Sequence, residues 1–389
     1  MRILYLSPSV FPSRSANSIH VIRMCEAFLK FGHQVTLIGI NDGIPNHKIK
    51  STIETYYSVD LTGAKFSLLK RAMPFGLNLQ LGFFSLINYL IWLCKNETFD
   101  IVISRNLYAS FLIGRIFAVN MFFETHQIEA GWRKWIQKEI VRFRGVKTIV
   151  ISSALKKLLR QELSTKKFSP LVLHDAAPQG IEVLDSGIKK RFREQYLTDT
   201  GYENFKKLVG YFGHLYTGRG VEVILKLSKI HPEHLFLVFG GNEEQIADLR
   251  LKHSRGNLMF MGYIQPGVVI QMMGIMDVLL MPYQQKVYIG DRRSETARWM
   301  SPMKMFEYMA VGVPVIASDL PVLNEVLSHE KNCMLAGPEN IDDWSGCLNR
   351  LTWDTELAKT IAANAHQDYL NTYNWHQRAS QVIENKNHA

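Results

Sequence analysis

Ser301-Pro302-Met303-Lys304-Met305-Phe306-Glu307-Tyr308-Met309-Ala310-Val311-Gly312-Val313-Pro314-Val315-Ile316-Ala317-Ser318-Asp319 reads as turn, short helix, turn and buried strand. Ser301 is suited to cap a helix that begins at Pro302, because proline has no N–H to satisfy and its φ is already helical. Gly312 and Pro314 stop that helix. Lys304 and Glu307, three residues apart, share one face near its start, while Met305, Phe306 and Met309 form an apolar face. A cation, an acid and a helix N-terminus thus converge. That suits a phosphorylated, hydroxyl-rich ligand, and equally describes a surface helix with a salt-bridging pair.

Working outward, the strand that ends this stretch is one of a series. Lys207–Gly213, Leu235–Gly241, Asn257–Gly262 and Val278–Pro282 are apolar runs separated by helical patterns. The N-terminal half repeats the alternation. Arg2–Ser7 is a strand closed by Ser7-Pro8 and a polar loop at 13–18, followed by a helix through Ile19, Val21, Ile22, Cys25, Phe28 and Leu29 and a strand at Gln34–Ile38. Asp100–Ser104, Met121–Glu124, Lys147–Ser152 and Pro170–His174 continue it. Strand–helix alternation predicts parallel sheets covered by helices, two of them in tandem, and ligands at the carboxyl ends of the strands. The polar stretch after Ala176-Ala177-Pro178 is the expected boundary, with a helical connector to about Thr200.

Composition narrows the class. A chain of 389 residues exceeds one ordinary core. A net charge of +10 implies attraction to anions, yet no zinc-type cysteine pairs and no compact basic run with interleaved aromatics point to nucleic acid. Cys25, Cys94, Cys333 and Cys347 lack a framework spacing, which fits a reducing compartment. The N-terminus enters a strand at once without a signal-peptide cleavage region, so the expected location is the cytoplasm. The window Phe75–Cys94 is long enough for a membrane span, but Asn78, Gln80 and Asn88 interrupt it. A core helix or a peripheral face at the inner side of a membrane is the expectation there.

The loop Gly213-His214-Leu215-Tyr216-Thr217-Gly218-Arg219-Gly220 follows a strand and opens a helix near Val221. Its glycines admit a ligand close to the backbone, and Arg219 stands beside the helix start as a forked cation. Together with Lys304 and Glu307, this loop resembles the donor half of retaining glycosyltransferases of family 4, which have the GT-B architecture. The matching positions are Gly213-His214-Leu215, Arg219-Gly220, Glu307, Ala310, Gly312, Pro314-Val315 and Ala317-Ser318-Asp319, with Asn324-Glu325-Val326 as continuation.

The resemblance implies an α/β fold of two Rossmann-like doubly wound domains facing across a cleft. Residues 1–178 would bind the acceptor and 179–373 the nucleotide-sugar donor, with a C-terminal helix at about 374–389 packing back on the first domain. It further implies that Arg219 and Lys304 hold the diphosphate and that Glu307 takes the ribose. Gly213, His214 and the N–H groups near Ser301 and Met303 would line the donor. Arg105 and His126, at strand ends in the first half, are acceptor-side candidates; His126 is a cleft residue or a structural hydrogen-bonder. His20, within an amphipathic helix, reads as packing or surface. No cofactor is implied, the nucleoside diphosphate-sugar being a substrate, and the absence of Asp-x-Asp argues against a metal-bridged diphosphate. The partners implied are that donor and a saccharide or lipid-linked acceptor.

Two positions depart from the family pattern. Trp299 stands where a sugar-reading glutamate is frequent, and His214 where arginine is common. They keep open a sugar-nucleotide-binding partner subunit without transfer activity. A nicotinamide-dependent oxidoreductase is disfavoured, because the first strand leads into Ser7-Pro8-Ser9 and no Gly-x-Gly-x-x-Gly.

Overall fold

Every strand of the two main sheets is parallel to its neighbours, as the strand–helix alternation requires. The computed structural model describes residues 1–41, 43–70, 90–91, 93, 95–116, 120–163, 168–253, 255–289 and 291–388. The peripheral face expected at Phe75–Cys94 lies almost wholly outside these residues. No helix among the described residues is long and apolar enough to cross a membrane.

The chain divides into two compact units, Met1–Asp175 with Trp375–Ala389, and Ala176–Asn374. In the first unit the strands are β1 (Arg2–Phe11), β2 (Gln34–Asn41), β3 (Lys65–Lys70), β4 (Ile101–Ser104), β5 (Met121–Thr125), β6 (Val146–Val150) and β7 (Leu171–Val172). They lie in the order β3-β2-β1-β4-β5-β6-β7. The helices are α1 (Ala16–Lys30), α2 (Ile49–Tyr57), α3 (Leu107–Ile116), α4 (Gly131–Ile140) and α5 (Ser153–Glu162). Ser15 caps α1, its side chain accepting from the Ser18 N–H, and Val21, Ile22, Cys25 and Phe28 are buried on one stripe.

The second unit runs α6 (Ser186–Thr200), β8 (Lys207–Phe212), α7 (Val221–Ile230), β9 (His234–Phe239), α8 (Glu243–Lys252), β10 (Leu258–Gly262), α9 (Pro266–Gly274) and β11 (Val278–Met281). A hairpin of β12 (Tyr288–Ile289) and β13 (Asp291–Glu295) follows, then α10 (Met303–Ala310), β14 (Val315–Ser318), β15 (Met334–Ala336), α11 (Ile341–Trp353) and α12 (Thr355–Asn371). The sheet order is β10-β9-β8-β11-β14-β15. Counted along each sheet from its own first strand, the second reads 3-2-1-4-5-6, the doubly wound dinucleotide-fold order, and the first has the same order with a seventh strand added at the edge. The core of this unit gathers Tyr211, Phe236, Phe260, Leu280, Ile316 and Leu348 around the fully buried Trp344. The Trp344 indole N–H donates to the Gly337 carbonyl at 2.9 Å, so its polar edge is satisfied. The last helix, α13 (Trp375–Glu384), belongs to the first unit.

The structure corrects two sequence expectations and adds two features. Strand β1 does not end at Ser7-Pro8: its pairing with β2 breaks between Leu6 and Val10 and resumes, because proline can offer no ladder donor and the strand bulges past it. Helix α10 starts one residue later than Pro302. Pro302 has ψ 121° and is the N-cap, with the Met305 N–H closing the first turn on its carbonyl, while Ser301 is buried. Strand β3 and the β12–β13 hairpin had no sequence signal; Asp291-Arg292-Arg293-Ser294-Glu295 shows no alternation of apolar residues to read.

Candidate functional site

In the second unit, the candidates come together at the carboxyl end of β8. Gly213 follows that strand with φ 150°, and a β-carbon added there would lie 2.6 Å from Lys304 Nζ. The space beside the ammonium is therefore kept clear of side chain. Gly220, at φ 81°, is the N-cap of α7, where only glycine adopts the left-handed conformation without strain. Two tyrosines fix the strand end: Tyr211 donates to the His214 carbonyl at 2.8 Å, and Tyr308 accepts from the Phe212 N–H at 2.8 Å.

Lys304 Nζ sits over the Tyr211 ring, 4.0 Å from its centroid, and 5.0 Å from that of Tyr283. It is buried and has no hydrogen-bond acceptor. Arg219 donates from Nη1 to the Tyr283 hydroxyl at 2.7 Å with its guanidinium carbon 5.0 Å from that ring's centroid, and its buried Nε also lacks an acceptor. Burial, reinforced by Arg219, holds the Lys304 ammonium well below the ordinary lysine value, with Glu307 acting the other way. Two ring faces return roughly 1–2 kcal/mol to a desolvated cation. Losing the ammonium's hydrogen bonds to water costs several kcal/mol. The balance leaves a site that favours an incoming anion.

Around this pair, Met303 opens α10, whose first N–H groups have no intrahelical partner, and Glu307 follows Lys304 by three residues on the same helix. His214 is exposed and stacks on Tyr216, ring centroids 4.9 Å apart. Trp299 is half-buried, its backbone N–H bonded to the Thr296 carbonyl. Sequence reasoning missed the tyrosine box. Tyr211 stands in an apolar strand run and Tyr283 just past the end of one, and nothing local separates a box residue from a core residue.

In the first unit, Arg105 follows β4 and His126 follows β5, and their side chains meet: Arg105 Nη2 donates to His126 Nδ1 at 3.0 Å. That fixes the tautomer, since guanidinium can only donate. His126 Nε2 therefore carries the hydrogen, which it gives to Glu124 Oε1 at 2.8 Å. The same oxygen accepts from Arg378 Nη2 at 2.9 Å, and Tyr5 donates to Oε2 at 3.3 Å. His20 donates from Nδ1 to Asp175 at 2.7 Å, and its Nε2 lies 2.9 Å from Glu124 Oε1 but out of hydrogen-bonding alignment. His20 is thus buried in this cluster, packed edge-on to Trp375.

Burial alone would raise the Glu124 carboxyl; Arg378, His20, Arg105 and the His126 bond overcome it and hold the group well below the carboxylate range. Burial and Arg105 lower His126 to about 4. His20, Glu124 and His126 have the spacing of a metal-ligand set. The donor chemistry does not fit one, because Nε2 of His126 carries a hydrogen and the shared carboxylate oxygen already serves a guanidinium. Glu124, Asp175 and Arg378 were missed from sequence, although an acid ending the apolar run Met121-Phe122-Phe123 is a mark of a buried carboxylate.

With this geometry described, comparison with known proteins is informative. Residues 193–368 match the family of glycosyl transferases group 1. The matched residues lie within the second unit and include Gly213–Gly220, Lys304 and Glu307. An uncharacterized glycosyltransferase of Methanocaldococcus jannaschii is 19% identical over 387 residues, covering 94% of this chain and 92% of its own. The fold of this glycosyltransferase is that of Anabaena HepE, solved in complex with UDP, with a TM-score of 0.75 at 16% identity and 100% of each chain covered. Sucrose-phosphate synthase from Thermosynechococcus elongatus superposes with a TM-score of 0.73 at 15% identity, covering 100% of this chain and 98% of that one. The fold is GT-B, and the chain is an enzyme that transfers glycosyl groups.

Proposed function

We propose that this glycosyltransferase takes its sugar from a nucleoside diphosphate-sugar and transfers it, with retention at the anomeric carbon, to a saccharide or lipid-linked acceptor. The observation that carries the reading is the buried Lys304 ammonium without an acceptor, beside an Arg219 whose Nε is equally unmet. Two cations in a desolvated box match a diphosphate, which leaves with growing negative charge; donors fixed where that charge appears lower the barrier. The complexes of Anabaena HepE with UDP and with UDP-glucose support the same class of donor.

In this reading Arg219 and Lys304 hold the diphosphate, and Glu307 accepts hydrogen bonds from the ribose. The N–H groups at the start of α10 face the sugar. The bond between the anomeric carbon and the phosphate oxygen breaks, its electron pair going to the diphosphate. The acceptor hydroxyl oxygen bonds to the same face of that carbon and gives its proton to the departing phosphate. His126 and Arg105 serve the acceptor side. No metal is required, because the cations carry the charge.

The test is thermal stabilisation of the full chain by UDP, GDP and ADP, each with and without its sugar. A nucleotide at about 100 times its Kd adds roughly 2.7 kcal/mol to stability, a shift in Tm that is easily read. Lys304→Met should abolish the shift. Wild-type stabilisation in that variant would refute the assignment. The anomeric proton coupling of the first-formed product, read by NMR, decides retention.

A further inference from the structure

The positive charge of the chain is unevenly held. The unit formed by Met1–Asp175 and Trp375–Ala389 has 25 Lys and Arg against 12 Asp and Glu, a net of +13, whereas Ala176–Asn374 has 20 against 23, a net of −3. Within the basic unit, residues 131–147 contain six Lys or Arg and one acid, Glu139.

This stretch presents an aromatic surface as well. Trp132 and Trp135, spaced one helical turn apart on α4, are 66% and 58% exposed. Trp132 stacks on Tyr108 of α3 with ring centroids 5.5 Å apart, and Trp135 lies 5.8 Å from Phe111. Phe111 also contacts Phe143, and Ile116 at the end of α3 is 57% exposed. The two helices therefore share one apolar, solvent-facing band. Scattered exposed apolar residues are ordinary; two tryptophans on neighbouring turns joined by ring contacts to a second helix are a patch.

Charge decides what the patch fits. Its acids are already engaged: Glu129 by Arg133, Glu162 by Lys134 and Glu139 by Arg142. No carboxylate of the band is left over for sugar hydroxyls. Arg115, Lys138 and Arg144 have no ion-pair partner among the described residues and border the same band. Trp353, as exposed at 84%, is followed by Asp354 and Glu356, the opposite sign.

Tryptophan rings prefer the boundary between lipid headgroups and acyl chains, and lysine and arginine beside them are drawn to anionic headgroups. We propose that the face formed by α3 and α4 seats this protein on an anionic bilayer surface, with Trp132 and Trp135 inserted and Arg115, Lys138 and Arg144 over the headgroups. This inference is independent of the donor reading. It also moves the membrane contact away from the window Phe75–Cys94 to a surface whose residues are described.

The experiment is cosedimentation of the full chain with vesicles of equal parts phosphatidylglycerol and phosphatidylcholine, and with phosphatidylcholine alone, at low and high salt. The protein should pellet with the anionic vesicles, far less with the neutral ones, and be released by salt. Trp132→Ser with Trp135→Ser should lower the partition coefficient at least tenfold, and Lys138→Glu with Arg115→Glu should do the same without touching a ring. Bromine-labelled lipid should quench wild-type tryptophan fluorescence and spare the tryptophan variant. Failure to bind anionic vesicles, or wild-type binding by both variants, overturns the proposal. Soluble oligosaccharide that alters Trp132 or Trp135 fluorescence in a chain that ignores vesicles overturns it in favour of a glycan platform.

Discussion

The two sheets share one strand order, and each gathers basic side chains at the carboxyl ends of its strands, but they treat the resulting charge in opposite ways. Around Glu124, charge is met largely within the fold: one carboxylate oxygen accepts from Arg378 and from the neutral His126 and lies 2.9 Å from His20 Nε2, with Arg105 Nη1 left buried without a partner. Around Lys304 and Arg219, the polar tips meet aromatic faces and leave Nζ and Nε unmet. The first arrangement answers its most buried guanidinium, Arg378, with an acid. In the proposed reading the second is completed by an anion, and that is the physical difference between a network that holds a fold and one that binds a ligand.

Breaking one partner in each network should therefore give stability changes of opposite sign. The largest effect is expected from Glu124→Leu, which leaves Arg378 buried without its acid. The cost should be about 3–5 kcal/mol, measured by urea denaturation, and pairing it with Arg378→Met should recover part of that loss. A double variant no better than the single would mean the ion pair is not the source of the cost.

Lys304→Met should do the reverse. Removing an unmet ammonium from a buried box is expected to raise Tm by a few degrees while kcat/KM falls roughly 10²–10³-fold. A fall in both would place Lys304 among the structural cations.

The third effect is on pH. His126 has a folded value near 4, below the value of about 6.5 for an unfolded histidine. As pH falls, the unfolded chain takes up this proton first, so stability present above pH 6.5 is lost between 6.5 and 4, by about 3 kcal/mol. His126→Asn should flatten that window in a series of denaturation curves. An unchanged slope would show that other groups govern it.

Smallest is Gly213→Ala, whose methyl would meet the Lys304 ammonium in a backbone conformation that alanine resists. About 1 kcal/mol of stability and roughly tenfold in nucleotide affinity should be lost.

What could be read from the sequence follows from how far apart the interacting residues lie. The strand–helix alternation is written locally, and so were α1 and the turn at Gly312 that ends α10. Lys304 and Glu307 were visible because three residues bring them to one helix face, and Gly213 to Gly220 because turn glycines announce themselves. The Tyr211 and Tyr283 box was not, since its members are 72 positions apart in the chain and look like core. Glu124 and Arg378 are separated by 254 residues, and no periodicity links them. Trp132 and Trp135 could be seen as a pair, but exposure is a property of the packed helices and not of their spacing.

The route of the chain gives the Glu124 network a temporal meaning. Its acid is synthesised early and its guanidinium is on the closing helix, after the entire second unit has been made. At ordinary rates of translation the interval is about 10–50 s. Throughout that time Glu124 is without its main counter-ion, which reaches it only once Arg378 has left the ribosome. A chain cut short before Arg378 would then contain every strand of the second sheet while the Glu124 cluster lacked its guanidinium. Arg378 thus ties completion of the Glu124 cluster to prior synthesis of the second unit.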